Sequence, residues 1–124
     1  MMPDNIIKIT VSTDENHVPT EIVWSADGED SAERTAKAMS LAMWDETDGR
    51  LMNMDLWTKN MSVEEMRHFV CQTMMTLADT FERSTSDKPH AEALRGFTRE
   101  LAKRIGVMKD DDSAEVKKAD SSPQ

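Results

Sequence analysis

Residues 51–65, LMNMDLWTKNMSVEE, decide the fold, because a strand pattern runs directly into a helix start. Leucine or methionine recurs at every second position up to residue 56, which is the period of a half-buried β-strand. Ser62 and Glu65 then form S-x-x-E, a capping box in which each side chain satisfies a free backbone N–H of the first helical turn. The stretch therefore predicts a strand over 51–58 followed by a helix from 62 to about 83.

The flanking sequence supplies four further elements. Apolar residues alternate from Ile6 to Ser12 and again from His17 or Val18 to Trp24, which predicts a hairpin with Pro19 at an edge or a bulge. Small apolar residues at helical spacing predict a helix over 31–44, opened by the D-x-x-E of residues 30–33. A last helix is predicted over 89–105, with Asp87 as its N-cap and Gly106 at its C-terminal end.

This order, β-β-α-β-α-α, predicts the α+β class, with a small antiparallel or mixed sheet and the helices packed on one face. One domain is expected over residues 1–108. Residues 109–124 lack periodicity and carry five acidic side chains, so they are expected to form a disordered acidic tail. Three strands are few for a free-standing sheet, and a second copy of the chain could complete its open edges.

Composition excludes several classes of function. The chain has 124 residues and a net charge of −9, which argues against nucleic acid and anionic membranes as partners. No apolar run approaches the roughly 20 residues of a spanning helix, so no membrane insertion is expected. Residues 1–5 lack the features of a signal peptide, and Cys71 is the sole cysteine. We therefore expect a cytoplasmic location and no internal disulfide.

A search for chemistry predicts no enzyme, cofactor or metal site. His68 and Cys71 lie three residues apart on a predicted helix, but two ligands are fewer than the four of a structural zinc site. Loops around Gly28 and Gly49 do not match the calcium-binding pattern, and no glycine-rich phosphate loop is present. A weak case for a small-ligand pocket rests on Trp57, with Asp55 and Trp44.

Two surfaces are candidates for binding a protein partner. Asp55 and Trp57 lie opposite the core face of the strand over 51–58. There Trp57 either folds over its own sheet edge or under a neighbouring loop, or it anchors another chain. Cys71, Met75 and Ala78 lie off the main apolar stripe of the long helix, which comprises Val63, Met66, Val70, Thr73, Met74, Leu77 and Phe81. Either the last helix or a partner covers this second strip, and the short loop between the two helices favours the last helix. Eleven methionines indicate either an adaptable core or an adaptable surface.

Three segments of the chain resemble the gliding motility protein GldC family. They are DLWTKNM at 55–61 running into VEEM at 63–66, ADTFER at 78–83, and DENHVP at 14–19 followed by IVW at 22–24. Their order and spacing agree with the family, and the similarity covers about residues 5–108.

The resemblance implies a small cytoplasmic protein of Bacteroidetes and their relatives, with an accessory role in gliding motility. It brings no catalytic activity, cofactor or binding residue to this chain. The first expectation is therefore a non-enzymatic adaptor that contacts a protein of the gliding or envelope machinery. A small chaperone or folding factor for exported clients is the alternative, and a homodimer is compatible with either.

Overall fold

A computed structural model describes residues 4–28 and 32–108, and the predicted tail at 109–124 lies outside them. Its contacts divide the chain into two compact units, Met1–Ser62 and Val63–Gln124. In the described part of the chain the first unit contains five strands and the second contains two helices. The predicted α+β class is thus confirmed, with antiparallel pairing throughout the strands.

The described strands of the first unit are β1 Ile7–Thr13, β2 Pro19–Ala26, β3 Arg34–Ala36, β4 Ala38–Trp44 and β5 Leu51–Trp57. They form two antiparallel sheets: a three-stranded sheet has the order β1-β2-β3, and a two-stranded ribbon joins β4 to β5. Both predicted hairpin strands are confirmed, and the predicted irregularity near Pro19 is a register shift where Thr13 pairs with Pro19.

The helix predicted over 31–44 is wrong, because Arg34–Ala36 and Ala38–Trp44 form β3 and β4, while residue 31 lies outside the described residues. Alanine, methionine and leucine have high intrinsic helix propensity, and their spacing imitates an apolar helical stripe. Pairing with β5 over the full length of β4 overrides that local preference. A turn then joins β4 to β5, and Gly49 adopts φ +63°, a left-handed conformation that glycine adopts without steric cost.

The second unit is a pair of helices, α1 Val63–Thr85 and α2 Lys88–Arg104. As predicted, α1 begins directly after Ser62, and Asp87 caps α2 by accepting a hydrogen bond from the N–H of His90 at 3.2 Å. Gly106 has φ +80° just beyond α2, as expected for a C-terminal glycine. Within the described residues, neither helix combines the length and apolar character that a membrane crossing requires.

The seam between α1 and α2 is built from small residues. Cys71 packs with Ala102 and Met108, and Ala78 and Ala91 have no exposed surface. The predicted main stripe of α1 is wrong in part as a core, because Val63, Val70 and Leu77 are exposed, whereas Met66, Met74 and Phe81 are half-buried. The second strip, with Cys71 and Ala78, is the buried one, so small side chains set the approach of the two helices.

Candidate interaction surfaces

The ribbon of β4 and β5 has one wholly apolar face. Residues that pair across an antiparallel ladder share a face, and alternate pairs lie on opposite faces. The sequence alternation in β5 is confirmed, but the expected burial is wrong, since Met52 and Met54 are exposed. We call this face the methionine face; it comprises Met39, Leu41, Met43, Met52, Met54 and Leu56.

Trp57 and Asp55 lie on the opposite face of the ribbon, as the sequence predicted. Trp57 pairs with Ala38 and keeps 57% of its surface exposed, so no loop of the described chain folds over it. Asp55 accepts hydrogen bonds from Ser40 Oγ at 3.0 Å and from Asn53 Nδ2 at 3.2 Å. These bonds fix the carboxylate beside the exposed indole. The two residues therefore form an ordered polar and aromatic patch.

Trp44, the third residue of the suggested ligand pocket, lies at the other end of the same face. It pairs with Leu51, six positions along β5 from Trp57. At about 3.4 Å per residue the two indoles are on the order of 20 Å apart. The three residues therefore do not line one pocket on this ribbon.

The loop between β1 and β2 contacts the residues that follow β5 in the first unit. Lys59 Nζ lies 2.6 Å from Asp14 Oδ2, and Lys59 N donates to the carbonyl of Pro19 at 3.2 Å. Asp14 Oδ1 also accepts from the N–H groups of Asn16 and Val18. The hydrogen bond from Lys59 is the main cause that lowers the pKa of Asp14 below its ordinary value. Residues 14–19 and 55–61, two of the segments that carry the family resemblance, are therefore in contact.

The other two predicted partner residues lie on α1. Cys71 is only 5% exposed and packs in the helix seam, where desolvation raises the pKa of its thiol. Met75, one turn further along, is half-buried. The expectation that the last helix covers this strip is confirmed for Cys71. A raised pKa keeps the thiol protonated at neutral pH and makes it a poor nucleophile.

On another side of α1, away from the strip that contains Cys71, an apolar stripe is exposed. Val63, Val70 and Leu77 recur every seven residues, and they are 72%, 42% and 58% exposed. Residues at this spacing lie almost in line along a helix. We call these three residues the α1 stripe. The sequence shows its periodicity, but the same periodicity is typical of a core, so the sequence alone does not distinguish an exposed stripe from a buried one.

Arg95 connects the two helices on their polar side. Its guanidinium contacts Asp79 and Glu82 of α1 and Glu92 of α2. These hydrogen bonds, chiefly that to Asp79, raise the pKa of Arg95. Glu92 neutralises Arg95 within α2, whereas Asp79 and Glu82 contact it across the helix pair. The cluster is structural, because each carboxylate is engaged with the same cation.

The described residues contain no group of three or more His, Cys, Asp or Glu side chains placed to hold a metal ion. His68 lies 3.3 Å from Glu64 on the same helix face, which is an ordinary exposed pair one turn apart. His90 likewise pairs with its own N-cap, Asp87, at 2.7 Å. The arrangement offers apolar surface and backbone edges for contacts with another chain.

This fold defines a small α+β protein with exposed apolar side chains in both units. A family model described as "Gliding motility-associated protein GldC-like" matches residues 19–107. The chain belongs to this GldC-like family, and the predicted family is thereby confirmed. By family it is a gliding motility-associated protein. No curated protein and no solved structure matches the chain.

Proposed function

We propose that the chain is a non-enzymatic, cytoplasmic adaptor associated with gliding motility and that it acts by binding another protein. Family membership supports the link to gliding motility. The adaptor role rests on one observation: large apolar side chains remain exposed in both units of the folded chain. Contiguous exposed apolar surface on a small protein is typical of protein-binding sites.

Trp57 is the proposed anchor of this contact. Tryptophan is enriched among the residues that dominate binding energy at interfaces, and a fixed polar neighbour adds specificity. Asp55 is such a neighbour, held by Ser40 and Asn53. The α1 stripe offers a second contact of the helix-in-groove kind. A net charge of −9 favours a partner with a basic rim and disfavours nucleic acid.

A chaperone for exported clients is the second candidate, and the methionine face favours it. Unbranched, polarisable methionine side chains adapt to different partners and occur at promiscuous binding surfaces. Four methionines lie on that one face, and three of them are exposed. Such a face could hold unrelated unfolded segments, whereas an adaptor needs one defined complement.

Affinity capture of the full chain from native lysate separates these functions. An adaptor retains one protein of the gliding or envelope machinery in a fixed ratio, and a chaperone retains many unfolded clients. Recovery of the chain alone, across washes of low ionic strength, would contradict both. Cell fractionation tests the location, and we expect the chain in the cytoplasmic fraction.

A further inference from the structure

The outer edge of β4 exposes a row of backbone donors and acceptors. Among the described residues β4 pairs only with β5. Asp45 N donates to Arg50 O at 2.9 Å and Thr58 N donates to Lys37 O at 2.8 Å, so the odd-numbered residues of β4 face β5. The even-numbered residues therefore direct their N–H and C=O groups to the outer edge; they are Ala38, Ser40, Ala42 and Trp44.

This edge lacks the usual protection against pairing. Natural sheets guard exposed edges with charged side chains, proline or a bulge. Residues 38–44 read AMSLAMW, with no charge and no proline, and they pair with β5 without a register shift. A two-stranded ribbon is also marginally stable in water unless further strands or a helix support it. The edge is therefore suited to accept another strand.

We propose that this strand is β4 of a second copy of the chain. The two β4 strands pair antiparallel about a two-fold axis at Leu41 and join the two ribbons into one four-stranded sheet. In this register Ala38 lies opposite Trp44 of the second copy, and Ser40 lies opposite Ala42. Every outward-facing backbone group of β4 then falls at a hydrogen-bonded position, and the methionine faces become continuous.

Side-chain size and charge favour a second copy over an unrelated peptide. Trp44 is 72% exposed in the single chain, and the register places its indole beside the small side chain of Ala38. The same register places Lys37 opposite Asp45 of the second copy, which pairs opposite charges at both ends of the contact. The strand between them is uncharged, so the pairing places no like charges directly opposite each other along β4. The proposal does not depend on the adaptor function.

Disulfide cross-linking tests both the contact and its register. Opposed residues at a position without hydrogen bonds have Cα atoms about 4.5 Å apart, within the range for a disulfide. In a Cys71→Ala background, Leu41→Cys should give a covalent dimer of the full chain under mild oxidation. Met39→Cys is the matched control, because the two copies of residue 39 would be about 14 Å apart.

Sedimentation equilibrium of the unmodified chain gives an independent result. The proposal predicts a mass of twice 14.0 kDa at micromolar concentration. It also predicts a cross-linked yield at least tenfold higher for Leu41→Cys than for Met39→Cys. A monomeric mass would overturn the proposal and leave the edge to a different chain. A dimer that cross-links equally through both positions would overturn the register and with it the paired β4 edge.

Discussion

Arg95 Nη2 of α2 lies 2.7 Å from Asp79 Oδ1 of α1, and this ion pair crosses the helix hairpin, whose fully buried side chains include the small Ala78 and Ala91. The guanidinium is 15% exposed and also contacts Glu82 of α1. Small residues bring the helices close but bury little apolar area each. The charged cluster therefore contributes to holding the two helices in register.

Replacement of Arg95 by methionine should destabilise the chain by about 1–2 kcal/mol, because three carboxylates lose their common cation. Urea unfolding measures this loss, which should shrink in 1 M salt as screening weakens the pairs. Arg104→Met is the control, since Arg104 pairs with Glu100 on an exposed surface of the same helix and, among the described residues, with no carboxylate of α1. Equal losses for the two variants would show that the cross-helix contacts are unimportant.

Acid should weaken the contact between Lys59 and Asp14. The pKa of Asp14 is held below 3.8 in the folded chain, first by the hydrogen bond from Lys59 and then by the N–H of Val18. A lowered carboxylate pKa stabilises the fold above the unfolded pKa, and the contribution disappears as the pH falls through the folded pKa. Lys59→Met should therefore raise the pKa of Asp14 and reduce the loss of stability between pH 5 and pH 2, taken as roughly the range of carboxylate titration.

Carbon-13 NMR of the Asp14 carboxyl group measures that titration directly. The unmodified chain should give a midpoint below 3.8, and Lys59→Met should move it upwards. An identical midpoint in both proteins would refute the role given to Lys59.

The seam at Cys71 should tolerate a smaller side chain and reject a larger one. Cys71→Ala should keep the fold, whereas Cys71→Leu should cost about 1–3 kcal/mol, because the added carbons have no space beside Ala102. The buried thiol should also react far more slowly with an alkylating reagent in the folded chain than in urea. Rapid alkylation without denaturant, or stoichiometric zinc in the purified protein, would contradict this account of Cys71.

We expect Met108 to be the last residue of the chain that contributes to the stability of the fold. Its side chain is 6% exposed in the cluster with Cys71 and Ala102. Met108→Ala should therefore cost about 2–3 kcal/mol through the lost contacts and the cavity. Deletion of 109–124 should leave the melting temperature nearly unchanged, because this acidic segment has almost no apolar side chains to bury. A fall of many degrees on that deletion would contradict the sequence interpretation of the tail.

Local sequence correctly predicted α1, α2 and β5, because their capping residues and apolar alternation favour the same structure as the rest of the fold. The capping residue Ser62 precedes α1, Asp87 caps α2, and the alternation in β5 assigns Trp57 to the correct face. The stretch over 32–44 failed because its alternation of small and large residues also fits a helix. Only the pairing with β5, which local propensity does not contain, decides between the two.

The candidate surfaces were harder to predict for a different reason. A stripe such as Val63, Val70 and Leu77 has the same periodicity whether a core or a partner covers it. Cys71 and Ala78 lie on another side of α1, and their small side chains allow α2 to pack there. That side of α1 is therefore the buried one. Periodicity therefore shows which sides of a helix are apolar, whereas the volume of the side chains on both helices determines which of those sides is buried.

The central claim, that the chain binds a protein partner through Trp57, is tested most directly by the affinity of Trp57→Ala for the captured partner. Leu51→Ala is the matched control, because Leu51 lies on the same face of β5 and is 56% exposed against 57% for Trp57. We predict that Trp57→Ala weakens binding about 30-fold or more, as expected for an interface hot spot, while its melting temperature falls no further than that of Leu51→Ala. Unchanged affinity, or equal weakening by both substitutions, would contradict the account.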